Sequence, residues 1–207
     1  MTYNRLLTSL CLLVVSVLSI NFQAHGAPVP GKVAPDFMAY TTQGVTITLS
    51  ELQGKPVVLE WTNHDCPYVK KHYSSGNMQR LQRKLTQEGV IWISIISSAP
   101  GLQGHVTTLE ADALTARRGS YTSHVILDPD GTIGRAYHAK TTPQMVLIGA
   151  EGLVQYMGAI DDKPSARLES LEGAQNYVLA AWASVKAGTQ VEMPTTKPYG
   201  CSVKYQG

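Results

Sequence analysis

Cys66 stands where a compact apolar run, Val57-Val58-Leu59-Glu60-Trp61, gives way to Cys66-Pro67-Tyr68-Val69-Lys70. The run has the profile of a strand buried on both faces, and proline favours the first turn of a helix. A cysteine at such a junction meets unpaired backbone N–H groups and the positive end of a helix dipole, which stabilise a thiolate. Lys70 and Lys71 follow within reach and add positive potential, while Asp65 and Glu60 oppose it. The chemistry implied is nucleophilic attack by sulfur. The bland alternative is a buried, inert cysteine.

Three further groups bear on that thiol. Cys201, in Pro198-Tyr199-Gly200-Cys201-Ser202, lies in a stretch without periodicity. A loop-like tail there can fold back, and Cys201 could then resolve a sulfenic acid or mixed disulfide on Cys66. The alternatives are a permanent Cys66–Cys201 bridge or a free thiol. Glu60, on a strand buried on both faces, would be desolvated, its pKa raised toward a value useful for acid/base work. At a sheet edge it would simply be solvated. His64, His72 and His138 complete the set; with Cys66, His64 and His138 could hold copper or zinc. A lone histidine beside a thiol more often tunes its pKa.

The elements that position these groups follow from pattern. Phe37–Tyr40 and Val45–Leu49 read as a hairpin around Gly44, and Ser50–Gly54 as a helical turn. The helix begun at Pro67 weakens at Ser74-Ser75-Gly76, then resumes through Met78, Leu81 and Leu85. Val90–Ile96 is a second buried strand. Thr107-Thr108-Leu109-Glu110 is a capping box, and Arg117-Arg118 sit where a helix C-terminus favours cations. His124–Leu127 is a strand ended by the turn Asp128-Pro129-Asp130-Gly131. Met145–Ile148 and Val154–Met157 are strands, and the apolar spacing from Ala174 to Val185 predicts a last helix packed on the core. Strands alternating with helices give an α/β fold with a mixed sheet covered on both faces.

Composition narrows the field. The chain has 207 residues, with 17 Lys+Arg against 15 Asp+Glu and a net charge of +2. That balance, without any basic run, argues against a nucleic-acid partner. Three cysteines do not make a disulfide scaffold. Arg5 precedes an apolar stretch, Leu6–Ile20, short for a membrane span, with an uncleaved anchor as the rival to a signal peptide. Small residues at Ala24 and Gly26 then predict signal-peptide cleavage after Gly26, removing Cys11. The expected division is a signal peptide at 1–26, a domain at 27–188 and a tail at 189–207 carrying Cys201. The product would be periplasmic or secreted, with no membrane span after cleavage, in surroundings that permit disulfides.

The strand before Cys66, the Cys66-Pro67-Tyr68-Val69-Lys70 run, and Thr141-Thr142-Pro143 before a strand resemble the thioredoxin-like superfamily. The similarity is to its redoxin branch, labelled alkyl hydroperoxide reductase/thiol-specific antioxidant, over residues 33–187. The stretch from Trp61 to Tyr73 resembles a bacterial subgroup of exported redoxins. This resemblance implies a thioredoxin-like fold, Cys66 as nucleophile beside Pro67, and Pro143 as a cis-proline that positions substrate together with Thr142. It also implies that Glu60 could serve as a proton relay. Two departures stand out. Val69 occupies the place of the second cysteine of a Cys-x-x-Cys site. Leu59 and Asn63 replace the proline and threonine of a peroxidase motif, with Thr62 one residue early. Copper chaperones of this fold carry Cys-x-x-x-Cys, where this chain has Lys70.

The expectation is therefore an exported thiol-disulfide or antioxidant oxidoreductase acting through Cys66. A thiol protein or small-molecule thiol would donate electrons, and a peroxide or protein disulfide would be the substrate. No organic cofactor is expected, since no Gly-rich dinucleotide loop follows the first strand. The rival readings are a copper-binding metallochaperone and a non-catalytic binding module with a structural Cys66–Cys201 bridge.

Overall fold

A computed structural model describes residues 28–207. The signal-peptide expectation and Cys11 lie outside the described residues. Five strands form the central sheet: β3 (Val57–Trp61), β4 (Ile91–Ile96), β5 (His124–Leu127), β7 (Gln144–Ile148) and β8 (Val154–Gly158). Their order is β5-β4-β3-β7-β8. β3, β4 and β5 run parallel, while β7 and β8 are antiparallel additions, so the sheet is mixed. Two further strands, β1 (Met38–Tyr40) and β2 (Thr46–Thr48), form the hairpin that the sequence places around Gly44.

All five residues of β3 are buried, as expected of a central strand with both faces covered. Alternation along it sorts the core into two layers. Val58 faces the layer built by α1 (Pro67–Ser74), α2 (Asn77–Gln87) and α5 (Tyr177–Ala187), where Val69, Leu81 and Trp182 pack. Val57, Leu59 and Trp61 face the opposite layer, with Ile126, Ile133 and Tyr137. Ile133 comes from α4 (Thr132–Ala136), and α3 (Thr108–Arg117) packs a smaller cluster around Ala111 and Val125.

Local signals set the helix ends. α1 and α2 are separate because Gly76 adopts φ 72°, a left-handed conformation that interrupts the helical backbone. Thr107 and Glu110 close the predicted capping box on α3. α5 begins at Tyr177 rather than at Ala174, because the Asn176 side chain accepts the Leu179 N–H and caps it there. No helix among the described residues is long and apolar enough to cross a membrane.

The tail, loop-like in sequence and able to fold back, lies against the domain. Cys201–Ser202 forms a short strand, β9, antiparallel to β6 (Thr141–Thr142), with Thr142 opposite Cys201. It is docked rather than loose: Thr196 N–H donates to Met157 O, Val203 N–H to Lys140 O, and Lys204 O accepts the Ala99 N–H. Beyond β9, the Tyr205 hydroxyl donates to Ala139 O. A Cβ added at Gly134 would lie 2.3 Å from the Tyr205 oxygen, so glycine makes room for that ring.

Candidate active site

Cys66 is the N-cap residue of α1, with Pro67 in the first turn. The backbone around it is fixed on both sides. Its N–H donates to Asn63 O, and its carbonyl accepts the Lys70 N–H. Asn63 is itself held, its side-chain oxygen accepting the Asp65 N–H and its amide donating to Gln103 O. The Cys66 thiol donates to Thr142 O at 3.1 Å. The Thr142–Pro143 peptide that follows is cis. Cys66 is fully buried and Cys201 is half-buried, packed against the same cluster; both thiols are free.

The two thiols titrate in opposite directions. Burial pushes the Cys66 thiol up. The hydrogen bond with Cys201 Sγ, the Val69 and Cys201 backbone N–H groups and the Thr142 hydroxyl outweigh it, so its pKa is lowered. The Thr142 hydroxyl has no other partner, which leaves it free to turn to a thiolate. Cys201 is pushed up to about 11, by burial first and then by its hydrogen bond to Cys66 and the Cys66 charge. One sulfur is thus prepared as the anion and the other as the thiol that donates to it.

The remaining expected residues are distributed differently. Glu60 is buried, and its carboxylate accepts from Tyr73 Oη, Gln82 Nε2, Trp92 Nε1 and Ser94 Oγ. None of these donors hydrogen-bonds to Cys66, although Tyr73 and Trp92 belong to the same core cluster as the thiol. Tyr73 is held far above its usual range, by burial first and then by the Glu60 charge. Lys70 is exposed and pairs with Asp65 at 3.7 Å. His64 also pairs with Asp65, at 3.4 Å, and burial lowers its pKa. His138 is exposed at φ 49°. Cys66, His64 and His138 are therefore not brought together, and among the described residues no cluster of three or more His, Cys, Asp and Glu is arranged for a metal ion.

Sequence reasoning missed one group altogether. Lys71 and His72, adjacent on α1, have fully buried side chains and meet Asp161 at 3.9 Å each. Tyr199 of the tail joins them. Two successive polar residues on a helix ordinarily read as a solvated face, so nothing in the pattern marked them as interior.

An open cleft of about 470 Å³ is lined by His64, Lys70 and Tyr73 from around α1 and by Leu114, Arg117 and Arg118 from α3 and its end; the buried Cys66 is not part of its lining. The Arg118 guanidinium stacks 4.5 Å over the Tyr73 ring.

Comparison with known proteins gives these features a context. The family described as AhpC/TSA matches residues 30–157. No curated protein matches the chain. Among solved structures, a hypothetical protein of Sinorhizobium meliloti 1021 is similar at TM-score 0.72 and 19% identity, covering 88% of this chain and 97% of its own. An uncharacterized conserved protein of Geobacillus kaustophilus is similar at 0.72 and 22%, covering 86% and 93%. The thioredoxin domain of a thiol-disulfide oxidoreductase of Bacteroides vulgatus is similar at 0.51 and 16%, covering 71% and 98%. These structures share the thioredoxin-like fold.

Proposed function

We propose, for a chain that belongs to the AhpC/TSA family and is a thiol-dependent oxidoreductase, that Cys66 and Cys201 together form its redox centre. The observation that carries this is the β6–β9 pairing, which sets Cys201 opposite Thr142, the residue whose carbonyl accepts the Cys66 thiol. The tail thereby supplies in space the second sulfur that Val69 denies the local motif.

The Cys66 thiolate attacks one sulfur of a substrate disulfide, forming a mixed disulfide and expelling the other sulfur as a thiolate, which takes a proton. Cys201, as thiolate, then attacks the Cys66 sulfur and expels the second substrate sulfur. The substrate gains two electrons and two protons, and the protein is left with a Cys66–Cys201 disulfide. A donor thiol protein or small-molecule thiol returns it to the dithiol state. Pro67 orients the start of α1, while Thr142 and Pro143 carry the carbonyl edge that β9 covers, and substrate would lie against that edge once β9 gives way.

A second reading is favoured by the complete burial of Cys66 beneath the tail. A small hydroperoxide reaches such a thiol more readily than a folded protein's disulfide does. Cys66 sulfur would then take the terminal peroxide oxygen, releasing an alcohol or water, and Cys201 would condense with the sulfenic acid, releasing water.

The reaction takes place after export, in our reading, with 1–26 removed as a signal peptide, 27–188 forming the domain and 189–207 its redox tail. The charge balance supports no nucleic-acid partner. The test is to supply Cys201→Ser protein with hydrogen peroxide and, separately, with a protein disulfide. Trapping of a mixed disulfide at Cys66 supports exchange, and a sulfenic acid supports the peroxide reading. A Cys66 thiol that reacts with neither overturns both.

A further inference from the structure

The buried group that joins α1 to the tail has no part in the chemistry above, yet it links the two segments that carry the redox pair. Lys71 and His72 belong to the helix that Cys66 caps, and Tyr199 stands two residues before Cys201. We infer that Tyr199 is a positioning residue, clamped by Lys71, His72 and Asp161 so that Cys201 is held opposite Cys66.

The hydroxyl of Tyr199 is used to capacity. It donates to Asp161 Oδ1. It accepts from Lys71 Nζ at 3.4 Å and lies 3.4 Å from His72 Nε2. The Asn77 amide sits 2.8 Å from His72 Nδ1; with that amide donating, the ring proton is left on Nε2, facing the tyrosine. One donor and both lone pairs of the hydroxyl are then engaged. The ring is fixed as well: Lys71 Nζ lies 5.3 Å from its centroid, and the Tyr68 ring lies 5.8 Å away.

Each clamping side chain is in turn anchored to the domain. Lys71 Nζ donates to Lys163 O and to Ser170 Oγ. Asp161 Oδ1 also accepts the Lys163 N–H. A lysine and an aspartate buried together are held in place by the cost of separating them, since removing either leaves an unpaired charge. The clamp is therefore stiff, and Gly200 converts its position into that of Cys201. Gly200 adopts φ 137°, and a Cβ there would fall 2.0 Å from Thr142 O, so the tail backbone crosses Thr142 in close contact before β9 begins.

This inference rests on the pairing of Cys66 with Cys201, and two measurements on the full chain separate its failure from that of the pairing. The first is the equilibrium of the Cys66–Cys201 disulfide against glutathione, which gives the effective concentration of Cys201 at Cys66. Tyr199→Phe is expected to lower it roughly 10- to 100-fold, the effect of losing a buried, charge-assisted hydrogen-bond set. The second is the Cys66 thiolate titration as a double-mutant cycle. Tyr199→Phe raises the Cys66 pKa when Cys201 is present and leaves it unmoved in Cys201→Ala; a general loosening of the fold would shift both backgrounds alike. Lys71→Met, which removes the clamping donor but keeps the stem, should repeat the pattern and serves if Tyr199→Phe does not fold. A folded Tyr199→Phe protein with unchanged disulfide equilibrium and titration overturns the clamp. Wild-type protein that forms no Cys66–Cys201 disulfide overturns the redox pairing instead, and the clamp is then decided by the titration cycle alone.

Discussion

Burial alone would make Cys66 a poor nucleophile, since a thiolate loses hydration in the interior. Its pKa is nevertheless lowered, because the Cys201 thiol, the Val69 and Cys201 backbone N–H groups and the Thr142 hydroxyl bond to the sulfur. The lysines that the sequence places nearby are committed elsewhere, Lys70 to Asp65 and Lys71 to Asp161. Cys201→Ala should therefore raise the Cys66 pKa and move the pH profile of its alkylation to higher pH. Iodoacetamide rates measured across pH would show this, and an unmoved profile would detach the two sulfurs. Glu60 gives the contrasting case. Its four donors lie on β4, α1 and α2, and none of them hydrogen-bonds to the thiol. Glu60→Gln leaves one acceptor oxygen for Gln82, Trp92 and Ser94 and turns the other, which faces the Tyr73 hydroxyl, into a donor. It should cost about 2 kcal/mol of stability in urea unfolding, while leaving the Cys66 profile in place. A shifted profile at unchanged stability would reinstate Glu60 as a proton relay.

At the scale of elements, what was legible in the sequence was what periodicity and capping encode. The buried strand Val57–Trp61, the capping box at Thr107 and the break at Gly76 are local, and each appears at or near its expected place. β9 was not legible. A two-residue strand has no period, and its pairing with β6 depends on a contact between residues far apart in sequence. That the tail could fold back was legible, but where it docks was not: its anchors are backbone groups of Met157, Lys140 and Ala99, whose availability no sequence pattern shows. Glycine was the one available sign. Gly200 precedes Cys201 because only a residue without Cβ passes Thr142 O in that conformation. Gly200→Ala should therefore displace β9, destabilise the fold by about 1–3 kcal/mol, and expose Cys66. Alkylation of Cys66 in the native protein should accelerate. Equal rates in both proteins would mean that the tail does not cover the thiol.

Over the whole molecule, the tail and α1 are joined through charges that a folded interior holds only under constraint. Asp161 belongs to the segment after β8, Lys71 and His72 to α1, and Tyr199 to the tail, so the group ties the end of the sheet to both carriers of the redox sulfurs. Its stability should depend on pH through His72, whose pKa is lowered to about 3, by burial first and then by the Lys71 charge. Unfolded, this histidine titrates near 6.5. Between those values the unfolded chain binds a proton that the folded one refuses, so stability is fully present above about pH 6.5 and is lost as pH falls. The loss approaches about 1.4 kcal/mol per pH unit from this one group. His64 and His124, also lowered by burial, act in the same direction, whereas Asp128, raised by burial, opposes them. Below about pH 4.5 the carboxylates with lowered pKa, such as Glu88, add their own loss. In the interval from pH 6.5 to 4.5 the lowered histidines therefore act before the lowered carboxylates do, with Asp128 opposing them. Urea unfolding across it should show stability declining for the wild-type protein and a flatter course for His72→Gln, which keeps a side-chain amide between Asn77 and Tyr199. Parallel declines in the two proteins would mean that His72 takes up its proton without leaving the fold, and that the group joining α1 to the tail tolerates a second positive charge.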